Sequence, residues 1–169
     1  MRTITVELGE KTYNIEIAAG LLDQIGAKAR VLSQAVKAAI ISDSNVDPLY
    51  GERLERSLAA SEFEVTRIVF AAGEQSKNLT VLGQVYDELA RAGLTRSDLI
   101  LTLGGGVPGD LGGFAAATFL RGIDFIQVPT SLLAQIDSSV GGKVAIDLPS
   151  GKNLAGSFYQ PKAVFIDPD

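Results

Sequence analysis

Polar and apolar residues alternate strictly at the start of the chain. Residues 3–8 and 11–17 both follow this alternation, which is typical of half-buried strands. Gly9-Glu10 separates the two segments and is typical of a turn. The pattern therefore predicts an opening β-hairpin.

From Gly20 onward, segments with helical spacing alternate with short apolar runs. Pro48 suits the first turn of one such helix, and Thr130, which follows Pro129, is a natural N-cap for another. Helices are predicted over residues 21–32, 46–58, 79–89 and 111–120 and from residue 130. Strands are predicted over residues 36–42, 64–70, 99–103 and 125–128, and a turn over residues 148–151.

This alternation of strands and helices indicates the fold class. Strands that are apolar almost throughout are typical of a mostly parallel sheet covered on both faces. We therefore predict an α/β fold with an open, mostly parallel, Rossmann-like sheet, helices on both faces and the N-terminal β-hairpin. In such sheets ligands bind beyond the carboxyl ends of the strands. The loops after residues 42, 70, 103 and 128 should consequently lie along one edge.

The composition narrows the range of functions. The chain of 169 residues carries a formal net charge of −5, unlike the basic surface that nucleic-acid binding requires. No apolar stretch approaches the roughly 20 residues of a membrane span, and the N-terminus lacks the layout of a secretory signal. We expect one cytoplasmic domain that binds neither nucleic acid nor a membrane. The chain has no histidine and no cysteine, so it lacks the usual protein ligands of zinc.

A glycine-rich segment after the predicted strand at residues 99–103 is the first candidate site. Its residues 104–109 fit the pattern G-x-G-x-x-G, in which glycines let the backbone approach a pyrophosphate at a helix N-terminus. Alone, this pattern is equally typical of an ordinary strand-to-helix turn. Asp43, at the end of an earlier strand, is a better candidate than Asp124 for binding a ribose. The candidate residues of the segment are Gly105, Gly106, Val107, Pro108, Gly109 and Asp110.

A second glycine turn follows the predicted strand at residues 64–70. Glu74 could accept hydrogen bonds from ribose hydroxyls, and Lys77 could reach a phosphate or a carboxamide. The alternative is a plain helix entry with Ser76 as the N-cap. The candidate residues are Ala72, Gly73, Glu74, Gln75, Ser76 and Lys77.

Three cations form the third candidate group in this acidic chain. Arg121, Lys143 and Lys152 each lie in a glycine-rich or loop-like setting. A phosphorylated, carboxylated substrate needs such donors, although a single lysine is more often a solvated surface charge. The small polar residues and paired glycines of residues 137–143 cost stability unless something approaches them closely. We therefore expect this segment to contact a ligand.

Several motifs in order resemble the 3-dehydroquinate synthases, a family of sugar-phosphate cyclases. The resemblance covers essentially the whole chain and is dense from Glu74 onward. The matching motifs are Gly105-Gly106-Val107-Pro108-Gly109-Asp110, Arg121-Gly122-Ile123, Gln127-Val128-Pro129-Thr130, Leu132-Leu133-Ala134-Gln135, residues 137–143, Gly151-Lys152-Asn153 and Gln160-Pro161.

The resemblance implies that residues 1–169 are the N-terminal NAD-binding domain of such an enzyme. A mostly helical domain with a zinc or cobalt ion would follow, and the full-length protein would be a homodimer with its active site between the two domains. The implied reaction converts 3-deoxy-D-arabino-heptulosonate 7-phosphate to 3-dehydroquinate and phosphate. It proceeds by transient oxidation with NAD, phosphate elimination, reduction and an aldol closure.

The resemblance also implies roles for individual residues. It places the substrate on Arg121, Asp137, Lys143 and Asn153, the candidate catalytic residues together with Lys152. Lys152 would contact NAD close to the substrate, and Asp137 and Lys143 would border both ligands. The residues implied for NAD are Asp43, Gly73, Glu74, Lys77, Gly106, Val107, Asp110, Thr130, Ser131 and Leu133.

The chain departs from the family pattern in three respects. Two threonines are common in the family where this chain has Thr130-Ser131, and the serine keeps the hydroxyl group. Residues 144–147, Val-Ala-Ile-Asp, stand where Thr-Gly-Val-Asn is common, which removes a hydroxyl and introduces a carboxylate. The metal ligands of the family, a glutamate and two histidines, would lie beyond residue 169, so we expect this chain alone to be inactive.

Other functions remain open at this point. Sister cyclases that make inosose or valiolone products share the fold, NAD and the metal, although residues 137–143 favour the dehydroquinate synthases. A metal-dependent polyol dehydrogenase and a non-catalytic nucleotide-binding module are more distant alternatives. We also expect an exposed apolar surface where the helical domain of the family packs.

Overall fold

The computed structural model describes residues 1–169 and contains a seven-stranded sheet and a separate two-stranded hairpin. The order of the sheet is β1-β2-β9-β6-β5-β3-β4, in which β1 and β2 are antiparallel and all other pairs are parallel. The strands are β1 (Arg2–Val6), β2 (Tyr13–Ile17), β3 (Lys37–Asp43), β4 (Glu64–Phe70), β5 (Leu99–Gly104), β6 (Asp124–Pro129), β7 (Lys143–Leu148), β8 (Gly151–Phe158) and β9 (Ala163–Ile166). The predicted fold class and the N-terminal hairpin are confirmed.

Four α-helices connect the strands, in the places where helical spacing predicted them. They are α1 (Ile25–Leu32), α2 (Glu52–Ala59), α3 (Leu79–Arg91) and α4 (Gly106–Thr118). Short helical turns precede α1 and α2, over Leu21–Gln24 and Asp47–Gly51. No helix combines the length and the apolar character that a membrane-spanning helix requires.

Two predicted helix starts were wrong. Helix α4 begins five residues earlier than its apolar pattern indicates, because the glycine-rich turn already adopts helical backbone angles from Gly106. After β6, Thr130 does not cap a helix, since its backbone N–H continues the sheet edge by donating to Gly104 O at 2.9 Å. Ser131 takes that role instead: its Oγ accepts from Ala134 N at 3.3 Å, ahead of a helical turn over Ala134–Ser138.

The two faces of the sheet bury separate apolar layers. Ile40 and Leu101 point to one face, where they pack with side chains of α1 and α2. Ile41 and Ile100 point to the other face, where they pack with side chains of α3 and α4. This alternation within β3 and β5 explains why the centres of both strands are apolar at consecutive positions, since each of these positions meets a helix layer.

The hairpin of β7 and β8 was not predicted as strands. Val144 and Ile146 of β7 point inward and are almost completely buried in the layer of α3 and α4. A Cβ added at Gly113 of α4 would lie 2.4 Å from Val144 Cγ1, so the hairpin contacts the helix at its backbone. The hydroxyl that the family commonly has at position 144 would thus lie in the core. The turn predicted over residues 148–151 does join the two strands.

The order of the strands creates one crevice at the carboxyl edge. From β3 the chain passes through α2 to β4 on one side, whereas β5 lies on the other side of β3. Loops that leave β3 and β5 in opposite directions leave a gap between them, and ligands of open α/β sheets bind there. Asp43 and Gly104 end the two strands that frame this crevice.

Close packing of α4 on the sheet predicts a stability difference between two glycines. A Cβ at Gly112 would lie 2.6 Å from Thr102 Cγ2 in the central strand β5, whereas one at Gly83 of α3 would meet nothing within 4 Å. We expect Gly112→Ala to lower the free energy of unfolding by about 1–3 kcal/mol. Gly83→Ala should raise it by up to about 1 kcal/mol, because alanine favours the helix. Urea unfolding of both variants measures the difference, and a Gly112→Ala protein as stable as the wild type would contradict the close contact.

Candidate functional site

The crevice is bordered by the N-terminus of α4. Gly104 has φ +152°, and a Cβ there would lie 2.5 Å from Pro108 Cγ, so only glycine fits. Gly105 is extended, and no side chain caps the first turn of α4. The first backbone N–H groups of the helix therefore face the crevice without an internal acceptor, which favours an anionic group such as a pyrophosphate.

Residues after β6 complete this wall of the crevice. Thr130 is fixed by its bond to Gly104 O, and Ser131 Oγ lies 3.4 Å from the position that a Cβ at Gly105 would take. Leu133 is 67% exposed beside them. Thr130 and Ser131 thus lie against Gly104 and Gly105.

Asp43 lies at the end of β3 and is almost completely buried. Its Oδ1 accepts hydrogen bonds from the backbone N–H groups of Asn45 and Val46, at 2.9 and 3.0 Å. Next to it, Ser42 Oγ donates to Leu103 O at 2.8 Å and ties β3 to β5. Asp43 therefore stabilises its own turn with one carboxylate oxygen, and the other oxygen accepts no hydrogen bond within the chain.

The turn after β4 is held by its own side chains. Gly73 has φ +115°, and the Gln75 side chain folds over it while Gln75 Nε2 donates to Ala72 O at 2.9 Å. Ser76 is buried, and its Oγ donates to Ala71 O at 2.5 Å. The alternative that Ser76 caps α3 is wrong, because Asn78 caps this helix through Val81 N. Gln75 and Ser76 thus fix the turn that presents Glu74 and Lys77.

Lys77 is the buried cation of the site, with 4% of its surface exposed. Its Nζ donates to Asp110 Oδ2 at 2.5 Å and to Asn153 Oδ1 at 2.6 Å. Two of its three N–H donors are thus used within the chain. Burial raises the pKa of Asp110 above its ordinary value, and the hydrogen bond and charge of Lys77 oppose this rise. This contact connects three elements, namely helix α4, strand β8 and the turn that follows β4.

A cleft of about 470 Å³ lies beside this contact, between the segment before β7 and the β7–β8 hairpin. Asp137, Lys143 and Asn153, which were predicted to bind the substrate, all line this cleft. Asp110 connects the cleft to the N-terminus of α4. The residues that line it are Asp110, Asp137, Ser138, Lys143, Val144, Ala145, Asn153, Leu154, Gly156, Ser157 and Phe158.

Arg121 does not line this cleft with Asp137, Lys143 and Asn153. It lies just beyond the C-terminus of α4, whereas Asp110 lies near the N-terminus, and eleven residues of helix span roughly 16 Å. The backbone around Arg121 is unusual, because Leu120 and Arg121 have φ +52° and +68° and Gly122 follows with +121°. Arg121 is exposed and forms no ion pair in the chain.

Lys152 lies at the rim and pairs with Glu74, with Nζ 3.1 Å from Oε1. The two side chains are 72% and 45% exposed, and ion pairs this exposed contribute at most about 1 kcal/mol. Both groups can therefore exchange this contact for one with a ligand at little cost.

Sequence reasoning missed several residues of the cleft. Gly156, Ser157 and Phe158 line it because the unpredicted hairpin brings them there. The short apolar run Val144-Ala145-Ile146, bounded by Lys143 and Asp147, is the signal that could have identified β7. Several large apolar side chains of the helical turn after β6 and of β8 are exposed: Leu132, Leu133, Ile136, Leu154 and Phe158 are between 58% and 80% exposed.

The residues of this chain do not fit a zinc or cobalt site. No group of three acidic, histidine or cysteine side chains is placed to hold a metal. The cleft offers two carboxylates, Asp110 and Asp137, and Asp110 is bonded to Lys77. Such a set lacks the nitrogen or sulfur ligands that zinc prefers.

Comparison with known proteins identifies the family. The family described as 3-dehydroquinate synthase N-terminal matches residues 67–169. A 3-dehydroquinate synthase of Clostridium acetobutylicum is 57% identical over 168 residues, which cover 99% of this chain and 47% of that protein. The chain belongs to the 3-dehydroquinate synthase family. A second relative, from Clostridium botulinum, is 55% identical and is covered to 48%. The chain thus spans about half the length of the curated relatives it matches.

Two solved cyclase structures superimpose closely on this chain. A 2-deoxy-scyllo-inosose synthase in complex with carbaglucose-6-phosphate, NAD+ and Co2+ superimposes with a TM-score of 0.91 at 30% identity, over 98% of this chain and 46% of that one. A 2-epi-5-epi-valiolone synthase of Streptomyces hygroscopicus with NAD+ and Zn2+ gives 0.82 at 30% identity, over 96% and 45%. A glycerol dehydrogenase of Schizosaccharomyces pombe, at 22% identity and 0.71 over 90% and 36%, shares the fold.

The Lys77 contact predicts a pH-dependent effect of Lys77→Met, which keeps the length of the side chain and removes its charge. Because Lys77 lowers the pKa of Asp110, the variant should raise that pKa further. A raised carboxyl pKa disfavours the ionised folded state, so the loss of stability, about 2–4 kcal/mol at pH 7, should shrink as the pH falls and Asp110 is protonated. Carboxyl carbon NMR titration and urea unfolding at two pH values test this.

Lys162→Met is the control, since Lys162 forms an exposed ion pair with Asp124. It should leave the pKa of Asp110 and the pH dependence of stability unchanged. If both lysine variants changed the pKa of Asp110 and the pH dependence of stability equally, the Lys77 contact would have no special role.

Proposed function

We propose that this chain is the NAD-binding part of a 3-dehydroquinate synthase. The enzyme would convert 3-deoxy-D-arabino-heptulosonate 7-phosphate to 3-dehydroquinate and phosphate in the shikimate pathway. The observation that carries the proposal is the connection of two sites through Asp110, namely the uncapped N-terminus of α4 and the cleft that contains Lys143 and Asn153. Identity above 50% with several 3-dehydroquinate synthases supports it.

The residues at the crevice suit a dinucleotide. The first backbone N–H groups of α4 would bind the pyrophosphate, with Thr130 and Ser131 beside them. Asp43 and Glu74 would accept hydrogen bonds from ribose hydroxyls. When bound, NAD would supply reversible hydride chemistry at the substrate carbon that bears a hydroxyl.

The residues of the cleft suit a phosphorylated sugar acid. Lys143 is exposed and forms no ion pair within the chain, so its ammonium can neutralise a phosphate or carboxylate. Asn153 would donate to a substrate oxygen, and Asp137 would accept from a hydroxyl. Arg121 does not line this cleft. Its role, like that of the other site residues, stays a prediction.

The reaction also needs a metal ion, and the residues of this chain do not form a suitable site for it. We propose that a helical domain of the full-length protein supplies the zinc or cobalt ion and packs against the exposed apolar side chains of the helical turn after β6 and of β8. The full-length protein is proposed to be a homodimer. The chain by itself is expected to bind NAD without catalysing the reaction.

The sister cyclases are the second candidate. Their fold superimposes closely, but the two solved examples are 30% identical to this chain, whereas the dehydroquinate synthases exceed 50%. This difference favours the dehydroquinate synthase reaction.

Calorimetric titration of NAD into the chain tests the cofactor site. Gly106→Val should weaken binding at least roughly tenfold, because the side chain would block the approach of a pyrophosphate to α4. A Cβ at Gly106 would lie 3.6 Å from Ser138 Oγ, so the fold itself tolerates the first added carbon. Gly83→Val, on α3 with open space around it, is the matched control and should bind NAD like the wild type.

Equal affinity of the wild type and Gly106→Val for NAD would show that the dinucleotide does not bind at the N-terminus of α4. Absence of NAD binding by the wild-type chain would contradict the proposal that this chain alone forms the cofactor site.

A further inference from the structure

Asp147, at the end of β7, bonds to two predicted site residues through different groups. Its backbone N–H donates to Lys77 O at 2.8 Å. Its side-chain Oδ1 accepts from the backbone N–H of Asn153, also at 2.8 Å. One residue thus fixes both the turn that carries the buried lysine and the strand that carries Asn153.

The backbone of Asn153 needs such support. Asn153 has φ +56°, in the left-handed region that non-glycine residues seldom adopt, although asparagine tolerates it better than most. It lies in β8 near the start of the strand, two residues after Gly151. A hydrogen bond to the Asn153 N–H directly restricts this conformation.

The side chain of Asn153 is oriented by Lys77. An ammonium group can only donate, so the amide oxygen must face Lys77 Nζ, at 2.6 Å. The amide nitrogen, Nδ2, then points away from Lys77 and forms no hydrogen bond within the chain. Asn153 lines the cleft, so this nitrogen is a donor available to a ligand there.

We propose that Asp147 is a positioning residue, which holds Asn153 in its left-handed conformation so that Oδ1 stays on Lys77 and Nδ2 is presented as a donor in the cleft. This inference rests on the proposed function for the identity of the ligand. It adds that the ligand group next to Asn153 is a hydrogen-bond acceptor, that is, an oxygen of a carboxylate, a phosphate or a hydroxyl that accepts through a lone pair. Asp147 itself does not touch the ligand.

Two substitutions separate the geometry of Asp147 from its charge. Asp147→Ala removes the acceptor for Asn153 N, whereas Asp147→Asn keeps an acceptor oxygen and removes only the charge. Asp87→Ala is the control, because Asp87 is an exposed acid on α3 without a side-chain hydrogen bond. Circular dichroism checks that all variants are folded.

NMR spectroscopy measures the first effect. In Asp147→Ala, the backbone coupling constant and carbon shifts of Asn153 should lose the values typical of positive φ, and its side-chain amide signals should shift as they do in Lys77→Met. Asp147→Asn should retain the wild-type signals of Asn153. The carboxylate of Asp147 contributes to the raised pKa of Asp110. Asp147→Asn should therefore lower that pKa while Asn153 stays in place, a response that a purely structural residue would not give.

Titration with 3-deoxy-D-arabino-heptulosonate 7-phosphate at saturating NAD measures the second effect. Asp147→Ala should raise its Kd roughly tenfold, the effect of losing about one hydrogen bond. Asp147→Asn and Asp87→Ala should stay within about twofold of the wild type.

The outcomes distinguish this inference from the proposed function. Unchanged Asn153 signals in Asp147→Ala, or an unchanged Kd, would overturn the positioning role. If the wild-type chain binds NAD but not the sugar phosphate, the proposed substrate site in this chain is wrong, and the Asn153 signals alone decide whether Asp147 positions it.

Discussion

The structure depends on one buried ammonium group. Lys77 reaches from the turn after β4 and holds Asp110 of α4 and Asn153 of β8. A lysine charge removed from water needs compensation nearby, and the carboxylate and amide oxygens supply it. The sheet, its helix layer and the β7–β8 hairpin are therefore joined where the two proposed ligand sites meet. The same contact lies between the proposed dinucleotide site and the neighbouring cleft.

The sheet explains why the site lies where it does. Two strands that leave a parallel sheet in opposite directions open a gap at its carboxyl edge, and here that gap lies between Asp43 and Gly104. Glycine at position 104 lets α4 start immediately after β5, so the positive end of the helix faces the gap. The layers formed by α1 to α4 leave this edge uncovered.

Much of this arrangement follows from the sequence. Apolar runs and helical spacing identified the main sheet because parallel strands buried on both faces leave a strong local signal. The strands β7 and β8 were missed because they follow the paired glycines of residues 141–142, which indicated a loop that contacts a ligand and not the start of a strand. The burial of Lys77 could not be predicted, since its partners lie 33 and 76 residues away along the chain. Long-range contacts of this kind leave no periodic pattern.

The three consecutive positive φ angles at Leu120, Arg121 and Gly122 have a consequence for protein engineering. Left-handed backbone at a residue with a Cβ costs on the order of 1–2 kcal/mol, and glycine avoids that penalty. Directed evolution for thermal tolerance alone should consequently enrich glycine at positions 120 and 121. Retention of arginine at position 121 under such selection would reveal that the outward display of its guanidinium group is maintained for a reason other than stability.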